Sequence, residues 1–218
     1  MLVKDYMTRH PLMADPGMSI VDAQRYMNEN RIRHLPVAGD GKRLLGLVTS
    51  HTLMVDPGRM GSLDVWEIAR YLSGLTVKDV MIKAKDVVTI GPDTTIEAAA
   101  CVMIEKKIGC LPVLEEGVLV GIITDTDMMA HLMELMAAQS SGVRTTVRMP
   151  MNKPGELAKL VAAVAAQGWG IEALGGAVAP KDPTQWDAVI KLRGIPKEKV
   201  VAVLGQVEGQ KIIDVREV

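Results

Sequence analysis

The residues best placed to do chemistry in this chain are Thr124, Asp125, Thr126 and Asp127, between the apolar run Val118 to Ile123 and the helical run Met128 to Ala138. A strand-forming run that passes into helix-starting residues puts Thr124 to Asp127 at a strand-to-helix junction. Free backbone N–H groups and the positive end of a helix favour an anionic or oxygen-rich ligand there, and the Thr124 hydroxyl adds a donor toward a phosphate. An ionised Asp127 offers only acceptors, which suits the paired hydroxyls of a ribose. The plainer reading is a threonine and an aspartate that serve only to cap the helix. Asp125 and Asp127 lie on neighbouring positions of a helix start and diverge, so they do not make a catalytic pair of acids.

The stretch occurs twice, which changes its weight and sets the architecture. Leu45-Gly46-Leu47-Val48-Thr49 returns as Val120-Gly121-Ile122-Ile123-Thr124, and Arg31-Ile32-Arg33-His34-Leu35-Pro36-Val37 as Lys107-Ile108-Gly109-Cys110-Leu111-Pro112-Val113. Earlier still, Val3-Lys4-Asp5-Tyr6-Met7 returns as Val77-Lys78-Asp79-Val80-Met81. Each copy reads as a lead-in helix ending at the Met, then an extended piece (Pro11 to Ala14, Val87 to Ile90) and a polar turn. A helix capped by Ser19 or Thr94 follows, with Ile20, Ala23 and Met27, or Ile96, Ala99, Ala100 and Met103, on its buried face. Two strands joined by a polar turn lead to the closing helix. A lone unit of this size has a marginal core, so the two halves are expected to stack by pseudo-twofold symmetry into one domain. Between them, Asp56-Pro57-Gly58 breaks the chain and Leu63, Trp66, Ile68, Ala69 and Leu72 suggest a packed helix.

Composition bounds the rest. With 218 residues, almost half of them apolar, two ordinary domains can each bury a core. The 25 basic and 26 acidic residues are dispersed, leaving no electrostatic footprint for nucleic acid or an anionic membrane. No run reaches bilayer-spanning length, and Cys101 and Cys110 lack zinc or redox spacing, so both read as buried thiols of a cytoplasmic protein. His10, His34, His51 and His131 are scattered and read as surface or turn residues, with no metal set among them. Met129, Met133 and Met136 form a helical stripe suited to packing, including packing between subunits, rather than to metal.

The paired Leu-Pro-Val and Gly-x-x-Thr-x-x-Asp patterns, in register over Met1 to Gln139, resemble the tandem CBS domain pair, or Bateman module. The resemblance implies a cleft between the halves that binds an adenosine compound: AMP, ADP, ATP, a dinucleotide such as NAD, or S-adenosylmethionine. It implies that Asp127 holds the ribose hydroxyls and Thr124 faces the phosphate. Thr89, Ile90, Gly109, Cys110, Leu111 and Pro112 would then wrap the adenine. The first copy departs from the pattern, with Thr52 where the acid belongs. A hydroxyl lacks the charge, so a site made by Thr49, Thr52, Arg33, His34 and Pro36 is expected to be weaker, empty or tuned to another ligand. Arg33 and His34 either reach a phosphate across the cleft or lie exposed on an edge strand.

After the linker-like Gln139-Ser140-Ser141-Gly142, the remainder alternates as strand Arg144 to Met149, a helix after Asn152-Lys153-Pro154-Gly155, strands Ile171 to Ala179 and Trp186 to Leu192, helix Pro196 to Gln206 and strand Lys211 to Val218. This βαββαβ order with its Asn-x-Pro-Gly turn resembles an ACT domain, with either a ligand loop at Asn152, Gly155 and Leu157 or a purely dimerising role. The expected class is α+β: CBS repeats at 1–56 and 76–138 around a helical linker at 57–75, a short linker at 139–143, and a ferredoxin-like ACT domain at 144–218. That arrangement resembles the AcuB-type acetoin-utilisation proteins. The expected role is a non-enzymatic, homodimeric sensor that passes ligand state to a partner enzyme or an assembly. The alternative is a scaffold whose sites are vestigial.

Overall fold

Ser19 and Thr95 start the two long helices of the repeated unit, accepting from the Asp22 and Ala98 backbone N–H groups at 3.0 and 3.2 Å. The second cap is thus one residue beyond the expected Thr94, and Thr95 is the true counterpart of Ser19. In this computed structural model residues 1–53 and 74–218 are described. The expected linker helix around Leu63, Trp66, Ile68, Ala69 and Leu72, with its break at Asp56-Pro57-Gly58, lies outside the described residues.

The chain forms two compact units, Met1–Met128 and Met129–Val218. In the first, α1 (Val3–Tyr6) and β1 (Thr8–Arg9) lead into α2 (Ile20–Glu29), β2 (His34–Ala38) and β3 (Leu44–Thr49). The second copy gives α3 (Val77–Val80), β4 (Ile82–Lys83), α4 (Ile96–Lys106), β5 (Cys110–Glu115) and β6 (Val118–Thr124). The helix that closes it, α5 (Asp125–Leu135), runs across the boundary between the units.

The halves are interlocked rather than merely stacked. Lead-in strand β1 pairs antiparallel with β6, completing the sheet β1-β6-β5, while β4 pairs with β3 to complete β2-β3-β4. Two glycines explain why the exchange needs its repeated motifs. A Cβ on Gly121 would collide with the Met7 side chain, and one on Gly46 would collide with Met81 and the Ile82 carbonyl. The Met that ends each lead-in helix therefore rests on the glycine of the other half's strand. Val3 accordingly joins the core of Ile96, Ala99, Leu111 and Ile123, and Val77 that of Ile20, Ala23, Leu35 and Val48. The helical faces expected from spacing are buried, except Ala100, which is half-buried.

The second unit continues through β7 (Val143–Pro150), α6 (Glu156–Ala165), β8 (Ile171–Val178), β9 (Gln185–Leu192), α7 (Lys197–Leu204) and β10 (Lys211–Glu217). All pairings are antiparallel in the order β10-β7-β9-β8, the βαββαβ arrangement with a ferredoxin-like strand order. The core of this sheet gathers Val147, Leu160, Val164, Ile190 and Leu204 under the two helices. Lys191 is buried on β9 and is held by the carbonyls of Ala137 (2.7 Å) and Ser140 in the turn after α5.

Two sequence expectations are corrected here. Cys101 is exposed, because it falls on the solvent side of α4, and only Cys110 is buried. His131, read as a surface residue, is buried on α5. Along the same helix Met129, Leu132 and Met133 remain exposed. Among the described residues no helix is long and apolar enough to cross a membrane, and no group of three His, Cys, Asp or Glu could hold a metal ion.

Candidate functional site

Thr124 closes β6 and Asp127 lies in the first turn of α5, so their spacing allows each to satisfy the other. The Thr124 N–H and hydroxyl both donate to Asp127 Oδ2, at 2.8 Å, and the Asp127 N–H returns a bond to the Thr124 hydroxyl at 3.3 Å. The capping role is therefore real, but it occupies one carboxylate oxygen. Among the described residues Oδ1 accepts no hydrogen bond. Asp127 stands on the wall of a cavity of about 300 Å³, together with Thr124, Thr126, Leu12, Arg31 and Arg33. That is the lower end of the size range of ligand pockets.

The walls facing Asp127 come from the first half: Pro11 and Leu12 of the extended piece and Arg31 to His34 ahead of and into β2. The expected partners from its own half are not there. Leu111 and Pro112 are buried on β5, and Ile90 packs on the core beneath them, pairing with Val113. Thr89 is half-buried beside it and lines neither of the cavities that Arg33 borders. Gly109 and Cys110 instead line a second cavity of about 410 Å³ with Val87, Val88, Thr49 and His51. The physical reason is the strand exchange: with β1 paired to β6, the first half's extended piece is brought beside the Thr-x-x-Asp turn of the second. Each closing turn thus meets the opposite half.

Of the residues assigned to the first site, Thr49, Arg33 and His34 line the second cavity and Pro36 does not, being buried on β2. Thr52 is also absent from its wall. Its hydroxyl accepts from the Thr49 N–H at 2.9 Å and donates to the Thr49 carbonyl at 3.0 Å, so its one proton is used inside the turn. Thr52 reproduces the cap that Asp127 makes and leaves no charged oxygen over.

Arg33 and His34 border both cavities. Arg33 reaches across to the other half, its Nη2 lying 3.0 Å from Asp125 Oδ1 and 3.3 Å from Thr126 Oγ1. Burial pushes the His34 imidazole below its usual value of 6.5, with Arg33 acting in the same direction and Asp125 opposing. It is therefore neutral at pH 7 and available as a hydrogen-bonding group. Burial also pushes the Cys110 thiol up to about 12, helped by Asp125, so it serves as an apolar wall rather than a nucleophile.

Sequence reading missed Arg31, Leu12, Thr126 and His51 as cavity residues. One signal was present: Arg31 and its repeat counterpart Lys107 both take a left-handed backbone, φ 53° and 54°, before the strand that follows each helix. Arg31 lines the first cavity and Lys107 the second, so the repeat puts one basic residue at each.

In the second unit a further cavity of about 310 Å³ is bounded by Gly155, Glu156, Leu157, Lys153, Met151 and Trp186. Of the three residues assigned to a ligand loop, Gly155 and Leu157 line this cavity, whereas Asn152 is exposed outside its wall. The cavity's acid is spoken for. Glu156 is buried, Lys159 and Lys153 lie 2.8 and 3.3 Å from it, and Gln210 donates to its carbonyl at 2.6 Å.

Comparison with known proteins bears on the first unit. The model of the CBS domain matches residues 3–55 and 77–134. Among solved structures, the chain is similar to a Vibrio cholerae protein provisionally assigned to acetoin utilization (AcuB), at 32% identity and a TM-score of 0.53, covering 64% of this chain and 96% of that one. It is also similar to Arabidopsis thaliana CBSX2 solved in complex with AMP, at 26% identity and a TM-score of 0.50, covering 61% and 96%. Protein MJ1225 of Methanocaldococcus jannaschii is 30% identical over 131 residues, 60% of this chain and 46% of its own. The chain spans less than half the length of the first curated relatives it matches.

Proposed function

The chain belongs to the CBS domain family, and on that premise we propose that it is a regulatory protein that binds an adenosine-containing ligand in the cavity beside Asp127. The observation that carries this is the division of labour in one carboxylate. Oδ2 is fixed by Thr124 while Oδ1 accepts no hydrogen bond among the described residues, and Asp127 lines a cavity that also holds two arginines, Arg31 and Arg33. A fixed, charged acceptor oxygen for a ribose and guanidinium groups for a phosphate are what a nucleotide requires. The similarity to CBSX2, solved with AMP, supports the same ligand class.

On this reading the role is regulatory rather than catalytic. The ligand biases two arrangements of the interlocked halves by its difference in affinity for them, and the bias passes to a partner enzyme or to the assembly of a cytoplasmic homodimer. The exposed Met129, Leu132 and Met133 on α5 give such an assembly an apolar face to use. The second unit, with its βαββαβ topology, is proposed to be an ACT-type domain that mediates association. Its cavity acid is already paired with two lysines, which favours association over amino-acid sensing there. A role in acetoin utilisation follows only from the likeness to the Vibrio protein. For the Cys110 cavity the scaffold alternative has a specific basis, the hydroxyl of Thr52 being consumed by its own turn.

Thermal melting of the full chain against AMP, ADP, ATP, NAD and S-adenosylmethionine tests the proposal. Binding to the native state alone stabilises it by about 2.7 kcal/mol at a hundred times Kd, and so raises the midpoint with ligand concentration. A rise with at least one compound is expected. Flat midpoints for all five at millimolar concentration would leave the scaffold reading.

A further inference from the structure

The two cavities of the first unit share a counter-ion. Arg33 borders both, and so does His34, whereas Asp127 and Thr126 face only the first cavity and Asp125 only the second. Arg33 spans the divide, donating to Asp125 Oδ1 at 3.0 Å and to Thr126 Oγ1 at 3.3 Å. The other carboxylate oxygen of Asp125 lies over Gly109, where a Cβ would stand 3.2 Å from it and 3.4 Å from His34 Cε1. The repeat makes the arrangement single. Arg33 has Gly109 as its counterpart and Asp125 has Ser50, so no matching pair exists on the opposite side.

The charges around the cavities differ in the same sense. The Asp127 cavity carries Arg31 and Arg33 against one acid, and the Cys110 cavity carries Asp86 and Asp125 against Lys107 and the same Arg33. The Arg33 and Asp125 side chains are both more than half exposed. An ion pair in water contributes little, and a dianionic phosphate that can take two N–H groups from one guanidinium outcompetes a monodentate carboxylate.

We infer that Arg33 couples the two cavities: a phosphate bound beside Asp127 draws the guanidinium off Asp125, and the carboxylate so released makes the Cys110 cavity favour a cationic ligand over a second phosphate. This rests on the proposed binding of a phosphate-bearing adenosine compound in the Asp127 cavity. The chemistry predicts a mixed occupancy, with a nucleotide in one cavity and a ligand carrying a positive centre, such as a sulfonium, in the other. Two nucleotides would leave Asp86 and Asp125 facing the second phosphate.

The test is calorimetric titration of the full chain with AMP and with S-adenosylmethionine, each alone and each in the presence of the other. Saturating AMP should tighten S-adenosylmethionine by about fivefold or more, and S-adenosylmethionine should tighten AMP by the same factor, because coupling is reciprocal. In Asp125→Asn the enhancement should fall to within about twofold of none. In Arg33→Gln the carboxylate is already released, so S-adenosylmethionine should bind tightly without AMP and gain nothing from it. Mutual displacement of the two ligands, independent binding, or enhancement that survives Asp125→Asn overturns the coupling and leaves adenosine binding standing. If neither ligand binds at millimolar concentration, the nucleotide reading of the Asp127 cavity falls and the coupling falls with it.

Discussion

Thr124 gives both its backbone N–H and its hydroxyl to one oxygen of Asp127, at 2.8 Å each, and so fixes the carboxylate before any ligand arrives. Preorganisation of this kind removes rotamer entropy that binding would otherwise have to offset. The same turn in the first half is closed by Thr52 on Thr49. One geometry thus serves two ends, a cap in both halves and a charged acceptor in one.

The cap and the acceptor separate by mutation. Asp127→Ala removes both and should lower unfolding stability by about 1 kcal/mol, within the usual range for loss of a helix cap. Asp127→Asn keeps an oxygen for Thr124 and should stay within about 0.5 kcal/mol of the parent. Urea denaturation of the three proteins measures the difference. Equal destabilisation by both changes would show that the charge, not the cap, stabilises the turn.

Strand exchange makes a second claim on stability. Gly121→Ala and Gly46→Ala drive a methyl group into Met7 and Met81, and each should cost about 1–3 kcal/mol by overpacking. Gly91 has open space where a Cβ would go, so Gly91→Ala should change stability by less than about 0.5 kcal/mol. Denaturation midpoints that rank the three alike would contradict the packing of each lead-in Met on the opposite glycine.

These glycines mark what could and could not be read from the chain. Repetition of the Met, Leu-Pro-Val and Gly-x-x-Thr motifs was visible, and so was the order of the longer strands and helices among the described residues, because hydrophobic period and turn residues are local signals. The exchange of lead-in strands was not visible. A repeat states that two halves are alike, not whose β1 pairs with whose β6, and each lead-in strand is only two residues long. The same gap misplaced the walls of the candidate site: Asp127 and Thr124 stand out by residue type and spacing, but Leu12, Arg31 and Arg33 come to line a cavity with them only through long-range pairing. Thr52 reads as a weakened ligand residue in sequence and proves to be a satisfied cap, since its hydroxyl's partners are backbone groups that sequence does not display.

The two thiols should behave differently. Cys101 is exposed and should react with a thiol-specific disulfide reagent at pH 8 in the native protein. Cys110 is buried with its thiol pushed up to about 12, so it remains protonated and should react only on unfolding. Counting labelled thiols by mass before and after denaturation checks this, with one then two as the expected result. Rapid labelling of both in the native state would show that the Cys110 cavity opens to reagent.

Acid should weaken the second unit through Glu156. The hydrogen bond from Lys159 holds this carboxyl below its ordinary value of 4.5, and Lys153 and Gln210 add to the effect. A depressed folded-state value means the contribution is fully present above about 4.5 and is lost as pH falls through the lower folded value. Glu156→Gln should therefore be less stable than the parent at pH 7, with the gap closing below pH 4.5. Denaturation midpoints across that range measure it, and a constant gap would mean that the carboxylate's charge makes no contribution.

The central claim is that one open oxygen of Asp127 receives the ribose of an adenosine ligand, and titration of AMP into the parent and into Asp127→Asn tests it most directly. Loss of a charge-assisted hydrogen bond, worth about 1.5–3 kcal/mol, predicts affinity lower by about tenfold to a hundredfold in a variant that still melts like the parent. Unchanged affinity in Asp127→Asn would contradict the account, leaving the residue as a helix cap and the ligand, if bound, somewhere else.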